Sequence, residues 1–352
     1  MKISDDVKLD FSDVLLLPNR SELTSRSQVD LEINFFDTEV TPIIAANMDG
    51  VGSFEMAKAL AKHGMMTALI KHYSLDELLE FYNDNPATAP FTIYSMGMSD
   101  KDFDKFKFLH KKVEDSGLTA PKTVCIDVAN GYTRQFEDFC ANFAEKYPEY
   151  VLIAGNIVTA DQTDRLIECG VDVVKIGIGP GSVCTTRTMT GVGCPQLSAV
   201  IECSEAARDA GGMIISDGGC SDPGDISKAF AAGADMVMLG GMLAGHDEGG
   251  GTFGFTPPGA TPPSGGQEKR YIEFSGMASK PMQDKYNGGI AEYRSSEGKT
   301  VKIPYRGKVE NTVKHILGCL RSTATYIGAE SLKDFHRHGK FIRVNRVHSS
   351  IK

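Results

Sequence analysis

Eight short apolar segments, separated by amphipathic stretches, constrain the fold of this chain more than any other feature of the sequence. The apolar segments are rich in β-branched residues, and they cover residues 42–48, 65–72, 91–97, 123–130, 150–158, 171–179, 212–219 and 234–241. Between them, apolar residues recur with helical spacing at residues 53–63, 75–83, 100–115, 133–146, 160–169, 197–210 and 223–232. Strands that are apolar on both faces and alternate with helices indicate a parallel sheet that is covered on both sides.

Eight strand–helix units match the number in a closed (β/α)8 barrel, the TIM barrel, and this is the fold that the sequence predicts. An open, doubly wound α/β sheet is the alternative, but the count of eight favours the barrel. Hydrophobic residues make up 41% of the 352 residues, which is enough to fill a core of that size. We therefore expect one α/β catalytic domain that spans residues 1–352.

Polar residues and glycines cluster where seven of the predicted strands end. The clusters lie at residues 47–49, 71–72, 127–130, 155–156, 177–181, 217–219 and 240–241. Turn formation alone explains one such cluster, because Gly and Asn are common in turns. In a TIM barrel, however, the C-terminal ends of all strands meet at the face that carries the active site. Seven clusters therefore favour a shared functional face.

The alternation of strands and helices stops after residue 241. Residues 246–269 are rich in Gly, Pro and Thr, a composition that excludes a packed helix or a central strand. We expect residues 246 to about 307 to form a long mobile flap above the barrel mouth, because loops of this length commonly serve as lids. Within the flap, the carboxylate of Glu297 is a candidate general acid or base. Helical spacing resumes at residues 311–323, which predicts the last barrel helix.

The charge of the chain argues against a protein that binds polyanions. Its 37 Lys and Arg residues are outnumbered by 46 Asp and Glu residues, for a formal net charge of −9, so we expect no nucleic-acid or membrane partner. No uncharged apolar run reaches the length of a membrane span, and the first residues, MKISDDVKLD, lack the apolar stretch of a signal peptide. The eight cysteines include no C-x-x-C pair, so free thiols in a reducing cytoplasm are the expectation.

The segment richest in chemistry is KIGIGPGSVCTTRTMTGVGCPQ, which contains the end of the sixth predicted strand and the loop after it. Its glycines predict a tight loop that exposes backbone amides and carbonyls. Cys184 lies in this loop beside two threonines and Arg187, so its thiol is a candidate nucleophile of low pKa. An inert, packed thiol is the more common state of a free cysteine, and we expect that state for Cys125, Cys169 and Cys203 in predicted core elements.

Glycine pairs end the seventh and eighth predicted strands. Barrels commonly bind phosphate on the loops after these strands, where glycine amides act as donors. We therefore expect a phosphate group near Gly218, Gly219, Gly240 and Gly241. Asp217 suits a sugar hydroxyl instead, because its charge repels phosphate. Close packing of helix on strand is the structural alternative for these glycines.

The runs GIGPGSVCTTR, TGVGCPQ, SDGG and LGGMLAG resemble the IMP dehydrogenase/GMP reductase family, and the resemblance covers nearly the whole chain. In two features the sequence resembles the GMP reductase branch of that family more than the dehydrogenase branch. Residues 71–91 leave no room for the pair of regulatory modules that IMP dehydrogenases carry after the second strand. The segments AANMDGVGSFEMA, CIDVANGY, YNGGIAEYRSSEGKT and LRSTATYIGA are similar to the reductases, and residues 277–307 contain Tyr293 followed by Arg294 instead of the Arg-Tyr pair of the dehydrogenase flap.

The resemblance implies a reaction of purine nucleotide salvage, the NADPH-dependent reductive deamination of GMP to IMP and ammonia. The Cys184 thiolate would add to C2 of the guanine and form a covalent thioimidate, while Thr186 and Glu297 would relay protons. The resemblance also implies a monovalent cation, K⁺, on the backbone carbonyls of Gly179, Gly181, Cys184 and Arg187.

Further binding residues are implied by position in the family's motifs. The substrate GMP would contact Asp217, Gly218, Gly219, Gly240, Gly241, Ser275, Gly276, Met277, Arg294, Ser295, Ser296 and Gly298. NADPH would contact Ser25, Arg26, Lys71, Asp127, Val128, Ala129, Ile178 and Gly179, together with a neighbouring subunit's copies of Ser322, Thr323, Ala324 and Thr325. The implied assembly is a cytoplasmic homotetramer.

Three other interpretations stay open from the sequence. A dehydrogenase without regulatory modules would oxidise IMP to XMP with NAD⁺, and it would use Cys184 and an activated water. A purine-nucleotide sensor would bind the same ligands without turnover. An unrelated barrel that acts on phosphosugars would not depend on Cys184.

Overall fold

The protein is described here by a computed structural model, which covers residues 3–250, 253–255, 270–293 and 295–345. Its strands are β1 (Val14–Leu16), β2 (Ile33–Phe35), β3 (Thr38–Val40), β4 (Ile43–Ala45), β5 (Met66–Ala68), β6 (Thr92–Met96), β7 (Thr123–Asp127), β8 (Val151–Ile157), β9 (Val173–Ile176), β10 (Met213–Asp217), β11 (Met236–Leu239), β12 (Phe253–Phe255), β13 (Arg270–Ser275), β14 (Thr300–Pro304) and β15 (Phe341–Arg343). Its α-helices are α1 (Phe54–Ala61), α2 (Leu75–Asp84), α3 (Asp100–Ser116), α4 (Arg134–Lys146), α5 (Ala160–Glu168), α6 (Thr186–Thr190), α7 (Gln196–Ala210), α8 (Pro223–Ala231), α9 (Lys280–Asn287), α10 (Val309–Ile327) and α11 (Phe335–His338).

Strands β4 to β11 form a closed parallel barrel in the order β10-β11-β4-β5-β6-β7-β8-β9. Each of them lies inside one of the eight apolar segments, so the predicted TIM barrel is confirmed. The barrel closes where β11 pairs with β4, with Val237 opposite Ile43 and Leu239 opposite Ala45. An open doubly wound sheet contains no such pair, and the alternative fold is therefore excluded.

The helices that cover the barrel begin and end close to their predicted bounds. Several start at a residue whose hydroxyl accepts a backbone N–H of the first turn, as at Ser53, Ser74, Ser99 and Thr133. The connection from β5 to β6 consists of α2 and a single 3-10 turn. α10 is the last barrel helix, and it is longer than the sequence predicted.

The core fills both the inside of the barrel and the space between the barrel and its helices. All residues of β4, β6, β9 and β11 are buried, as expected for strands that are covered on both faces. On the outer layer, Phe106 of α3 packs on Phe143 and Tyr147 with ring centroids 5.0 Å apart in both pairs. This packed wall leaves the loops at the strand ends as the place for chemistry.

The segment after β11 contains regular structure that the sequence did not predict. β12, β13 and β14 form an antiparallel sheet with β13 in the middle, and α9 lies between β13 and β14 along the chain. The residues of β14 alternate between exposed and half-buried, so the sequence of this strand contains no apolar run that would predict it. Residues 251–252, 256–269 and 294 lie outside the described residues, and the mobility of the flap stays a prediction.

Short strands outside the barrel join distant parts of the chain. β1 pairs antiparallel with β15, so the N-terminal segment lies against the C-terminal one. β2 and β3 form a hairpin that precedes the first barrel strand. Among the described helices, none combines the length and the apolar character that a membrane crossing requires.

Two aspartates bind the N-terminal ends of barrel strands. Asp235, which precedes β11, accepts a hydrogen bond of 2.8 Å from the N–H of Ile214 in β10. Asp172, which precedes β9, accepts one of 2.8 Å from the N–H of Leu152 in β8. Burial raises the pKa of both carboxyls, that of Asp235 to about 6. Each carboxylate therefore satisfies a backbone donor but carries a desolvated charge at neutral pH.

Substitution of Asp235 separates these two effects. Asp235→Ala removes the acceptor of the Ile214 N–H and should lower the free energy of unfolding by about 1–3 kcal/mol. Asp235→Asn keeps an acceptor oxygen and removes the charge. The folded-state pKa of about 6 lies above the unfolded value of about 3.9, so the unsubstituted chain loses stability as the pH rises through that window.

Relative to the unsubstituted chain, Asp235→Asn should therefore gain stability between about pH 4.5 and about pH 7.5. Urea denaturation at the two pH values measures the difference. An equal loss of stability for the Asn and Ala variants at the higher pH would contradict this account.

Candidate active site

Five polar side chains at the C-terminal ends of barrel strands form one network at the barrel mouth. Lys175 of β9 lies 2.8 Å from a carboxylate oxygen of Asp127 in β7 and 2.7 Å from one of Asp217 in β10. The amide of Asn47, after β4, donates to Asp127 at 3.1 Å. The amide of Asn156 in β8 donates to Asp217 at 2.9 Å. Barrel closure thus brings together residues from five strands.

The network is charged. Burial by itself would lower the pKa of the Lys175 ammonium, but the carboxylates of Asp127 and Asp217 raise it above its usual value. Burial would likewise raise the pKa of Asp127, and the Lys175 ammonium instead holds it below its usual value. Both aspartates were predicted from the sequence as site residues, but Lys175 was not, because a lysine inside an apolar strand carries no motif.

The loop after β9 needs glycine at two positions. Gly177 and Gly179 have φ values of +152° and +81°, a region that L side chains rarely adopt. A Cβ at Gly177 would also collide with the carbonyl oxygen of Asp217 in β10. The chain therefore turns tightly out of β9, and this turn carries Cys184 to the mouth.

Arg187 ties the same loop to the N-terminal segment of the chain. Its guanidinium donates to the carboxylate of Asp10 at 3.0 Å and to the carbonyl oxygens of Ile178 and Cys194. Asp10 also accepts the N–H of Gln196 at 2.6 Å, at the start of α7. The guanidinium that the sequence places near the thiol therefore holds the loop in shape.

Cys184, Thr186 and Glu297 form a hydrogen-bonded chain. The thiol of Cys184 donates to the Thr186 hydroxyl, with 3.3 Å between Sγ and Oγ1, and that hydroxyl donates to Oε2 of Glu297 at 2.9 Å. Cys184 as a residue is half-buried. A hydroxyl between a thiol and a carboxylate can pass a proton from one to the other. The structure thus brings together the three residues that the sequence analysis named as catalytic.

Backbone hydrogen bonds hold the flap against the Cys184 loop. The N–H of Thr185 donates to the carbonyl of Glu297 at 2.9 Å. The N–H of Lys299 donates to the carbonyl of Val183, also at 2.9 Å. Glu297 is therefore positioned by its own main chain as well as by the Thr186 hydroxyl.

Ser275, Gly276 and Met277, which were predicted to contact the substrate, lie where β13 reaches the mouth. A Cβ at Gly276 would lie 2.8 Å from the carbonyl oxygen of Val183, so the flap backbone passes close to the Cys184 loop. The thioether of Met277 accepts the N–H of Asp49 at 3.5 Å. This stretch therefore bridges the loops that follow β4 and β9.

Of the remaining predicted flap residues, Gly298 lies next to the thiol. Gly298 forms an antiparallel bridge with Cys184, and the Ser296 hydroxyl donates to the Gly298 carbonyl at 3.0 Å. Ser295 is exposed. Arg294 lies outside the described residues, so its contact with the substrate stays a prediction.

Two of the glycines that were predicted to bind phosphate, Gly218 and Gly241, approach the loop after β9, whereas Gly219 faces Gln196 and Gly240 faces Met48. Gly218 and Gly219 both have a φ of +84°. A Cβ at Gly218 would lie 3.1 Å from Cγ of Pro180, and one at Gly241 would lie 3.1 Å from Oγ of Ser182. The ends of β10 and β11 therefore face the same loop, as a shared phosphate site requires.

Arg306, which the sequence analysis did not single out, binds the turn that follows β11. Its Nη1 lies 2.9 Å from the carbonyl oxygens of Gly241 and Met242 and 3.3 Å from that of Ala244. Within the turn, the N–H of Ala244 donates to the carbonyl of Gly240 at 3.1 Å. Because Arg306 follows β14, the end of the flap fixes the backbone of the predicted phosphate loop.

α9 docks the flap on the loops after β4 and β5. The ammonium of Lys285 lies 2.8 Å from the carboxylate of Asp49, and the ring of Tyr286 stacks on His72 with centroids 3.8 Å apart. Burial, assisted by the nearby Lys71 ammonium, lowers the pKa of His72 to about 4, so its imidazole is neutral at neutral pH. Neither Lys285 nor Tyr286 was predicted, because only docking of α9 gives them these partners.

The residues that were predicted to bind the cofactor form two groups in space. One group lies at the mouth and consists of Lys71, Asp127, Val128, Ala129, Ile178 and Gly179. The other consists of Ser25, Arg26, Ser322, Thr323, Ala324 and Thr325, where a 3-10 turn packs on α10. α10 runs antiparallel to the barrel strands and begins at the mouth. The four residues of this group that belong to α10 therefore lie about 20 Å along the helix from the mouth. The side chain of Ala324 is fully buried.

The predicted cation ligands are backbone carbonyls rather than side chains. Among the described residues, no three His, Cys, Asp or Glu side chains lie close enough together to hold a metal ion. The carbonyl of Gly181 accepts the N–H of Cys184 at 3.0 Å, and that of Arg187 accepts the N–H of Gly191 at 3.2 Å. Each carbonyl oxygen has a second lone pair, and neutral carbonyls are the ligands that K⁺ takes. The donor chemistry of the loop therefore fits a monovalent cation.

All eight cysteines are free thiols, as predicted. Cys125 and Cys203 are buried, and burial raises the pKa of the Cys203 thiol to about 12. Cys169 is only half-buried at the end of α5, so the prediction of a packed thiol holds for it in part.

Alkylation tests the hydrogen-bonded chain without any ligand. Thr186→Ala removes the acceptor of the Cys184 thiol, and we expect Cys184 to react with iodoacetamide roughly three- to tenfold more slowly at neutral pH. Thr186→Ser keeps the hydroxyl and should react like the unsubstituted chain. Mass spectrometry of the alkylated peptides gives the rates, and the half-buried Cys319 on α10 serves as the internal reference. Unchanged alkylation of Cys184 in Thr186→Ala would show that the hydroxyl does not assist the thiol.

Comparison with known proteins identifies the family. A family profile described as IMP dehydrogenase / GMP reductase domain matches residues 8–82 and 94–350. The chain is 50% identical to GMP reductase 2 of Homo sapiens over 350 residues, which cover 98% of this chain and 96% of that protein. It is 49% identical to GMP reductase of Aliivibrio fischeri (strain MJ11), with 100% of this chain and 99% of that protein covered. It is 48% identical to GMP reductase 1 of Rattus norvegicus, with 99% of both chains covered. The resemblance found in the sequence motifs is thus confirmed, and the chain belongs to the IMP dehydrogenase/GMP reductase family of oxidoreductases.

Proposed function

We propose that this chain is a GMP reductase, which converts GMP to IMP and ammonia with NADPH in purine nucleotide salvage. The observation that carries the proposal is the hydrogen-bonded chain from Cys184 through Thr186 to Glu297 at the barrel mouth. Relatives that are 48–50% identical along nearly their whole length are named GMP reductases, which supports GMP as the substrate.

The substrate is held by the ends of β10 and β11 and by the flap. The glycine amides after the two strands suit the phosphate, because backbone N–H groups bind anions without a cation. The carboxylate of Asp217 accepts from a ribose hydroxyl. Met277 and Gly298 on the flap cover the purine and bring its C2 next to the Cys184 sulfur.

The first half of the reaction replaces the amine of guanine by sulfur. The proton of the Cys184 thiol passes to the Thr186 hydroxyl, whose own proton passes to Glu297, and the thiolate adds to C2. The proton then returns along the same path to the exocyclic nitrogen, which leaves as ammonia. A planar thioimidate bonded to Cys184 remains.

The second half releases the nucleotide from the enzyme. NADPH supplies a hydride when it is bound. C2 of the thioimidate is electrophilic and would accept that hydride, after which the bond between C2 and the Cys184 sulfur would break. Cys184 would leave as a thiolate, IMP would be released, and a proton taken from solvent would restore the thiol. Covalent attachment keeps the purine in place between deamination and reduction.

Residues at the mouth fit a phosphate-bearing cofactor. The Lys71 ammonium pairs with the carboxylate of Asp102 at 3.8 Å and is partly exposed, so it can also bind a phosphate that reaches the mouth. The carboxylate of Asp127 suits a ribose hydroxyl. The second group of cofactor residues, near Arg26, suits a site shared between subunits of a homotetramer. The tetramer and the cytoplasmic location stay predictions.

Turnover assays of the purified chain test the proposal. We expect consumption of NADPH and release of ammonia with GMP, and no reduction of NAD⁺ with IMP. Cys184→Ser should lower kcat/KM for GMP by roughly a thousandfold or more, because the covalent step is lost. Cys319→Ser, which changes a half-buried thiol outside the site, should leave kcat/KM unchanged. Mass spectrometry should detect a purine nucleotide adduct on Cys184.

Each competing function gives a different result in these assays. Reduction of NAD⁺ with IMP alone identifies a dehydrogenase that forms XMP. Binding of GMP without ammonia release identifies a sensor. Undiminished activity of Cys184→Ser identifies a barrel whose chemistry does not use this thiol.

Replacement of the cation tests the carbonyl site. With K⁺ exchanged for Li⁺ at constant ionic strength, we expect kcat for GMP to fall by roughly tenfold, because Li⁺ is too small for carbonyls spaced around K⁺. The loss should reverse when K⁺ is restored. Equal rates in the two salts would show that the loop after β9 works without a bound cation.

A further inference from the structure

We propose that Lys175 is a positioning residue that serves the substrate site and the cofactor site together, by holding one carboxylate of each. The inference rests on the proposed function, which assigns Asp217 to the ribose of GMP and Asp127 to the cofactor. Lys175 itself contacts neither ligand, because its side chain is only 4% exposed.

The position of Lys175 in the barrel explains why one cation reaches both carboxylates. Its strand, β9, pairs with β8 on one side and with β10 on the other, and Lys175 lies opposite Gly155 and Ile215. A Cβ at Gly155 would lie 2.6 Å from the Lys175 Cβ, so the glycine leaves room for the lysine stem. The ammonium then lies 2.8 Å from Asp127 and 2.7 Å from Asp217.

Both carboxylates keep acceptor capacity towards the mouth. In Asp127, Oδ1 binds Lys175 and Oδ2 binds the amide of Asn47. In Asp217, Oδ2 binds both Lys175 and the amide of Asn156. Their side chains are 35% and 20% exposed, whereas the lysine between them is buried. Because each carboxylate oxygen has two lone pairs, a ligand hydroxyl can add to either group without displacing the ammonium.

Loss of the ammonium would disturb both sites at once. Two neighbouring carboxylates without a cation between them repel each other, and both lose the hydrogen bond that sets their orientation. A proton taken up by the pair would be shared between them. A protonated carboxyl donates a hydrogen bond where a ligand hydroxyl needs an acceptor. The positioning role therefore predicts a joint loss of affinity for two ligands that bind to different strands.

Lys228 provides a matched control. It is a second buried lysine, and it binds the carboxylate of Asp225 at 3.2 Å and the carbonyl of Phe11 at 2.9 Å. None of these groups is assigned to a ligand. Lys228→Met therefore removes a buried, paired ammonium of the same kind without touching either site.

Titration calorimetry on the full chain tests the proposal, with GMP in the absence of cofactor and with NADPH in the absence of nucleotide. Lys175→Met should raise the Kd of GMP and the Kd of NADPH, each by roughly tenfold or more. Lys228→Met should change neither. Lys175→Arg keeps the positive charge, and both Kd values should return towards those of the unsubstituted chain.

Several results would overturn the proposal. One is a folded Lys175→Met variant, judged by circular dichroism and Tm, in which either Kd stays within about twofold of the original. Another is an equal effect of Lys228→Met, which would show that a general loss of stability is responsible. If the unsubstituted chain binds neither GMP nor NADPH, the proposed function itself fails. If the unsubstituted chain binds and converts them and one of the two results above is found for the variants, only the role of Lys175 is refuted.

If Lys175→Met does not fold, two double variants serve as the test instead. Each double variant leaves one carboxylate without a cation, whereas Lys175→Met leaves two. The Kd of GMP should be higher in Lys175→Met/Asp127→Asn than in Asp127→Asn. The Kd of NADPH should be higher in Lys175→Met/Asp217→Asn than in Asp217→Asn. Equal values in either comparison would overturn the proposal.

Discussion

The pairing of β11 with β4 is the constraint on which the site depends, because it closes the sheet. In a closed parallel barrel every strand ends on the same rim, so residues as distant in sequence as Asn47 and Asp217 enter one network. The wall behind this rim is buried on both faces and packed by the surrounding helices. Polar groups on such a wall are held before any ligand arrives, and this is how a protein lowers the cost of ordering them during a reaction.

The candidate catalytic groups come from two separate parts of the chain. Cys184 and Thr186 belong to a loop of the barrel, which Arg187 ties to Asp10. Glu297 belongs to the flap and is aligned by main-chain hydrogen bonds to that loop. A proton path from the thiol to the carboxylate exists only where the two parts meet. The nucleophile therefore has the rigidity of the barrel, and the proton acceptor depends on how the flap lies over it.

Electrostatics at the mouth follow from the acidic character of the whole chain. With a net charge of −9, the protein does not attract anionic nucleotides by its overall field, and local groups must bind them. The buried ammonium of Lys175 is already engaged by two carboxylates, so it is not available to a phosphate. Under the proposed function, the glycine amides at the ends of β10 and β11 and the partly exposed ammonium of Lys71 would serve this purpose.

The sequence by itself determined the barrel, its helices and the three candidate catalytic residues. Strand burial and helix periodicity are local properties, so eight apolar segments and seven amphipathic ones were sufficient to predict the fold, and a polar loop marked Cys184. Only the tertiary structure decided the contacts of Lys175, Arg306 and α9, and the antiparallel sheet in the flap. In each case the stabilising partner is remote along the chain: Ser275 pairs with Thr300, Arg306 binds the carbonyl of Gly241, and Lys175 lies between two other strands. A periodic pattern reports which side of an element is buried, but an ion pair or a short strand pair depends on what the closed fold places opposite it.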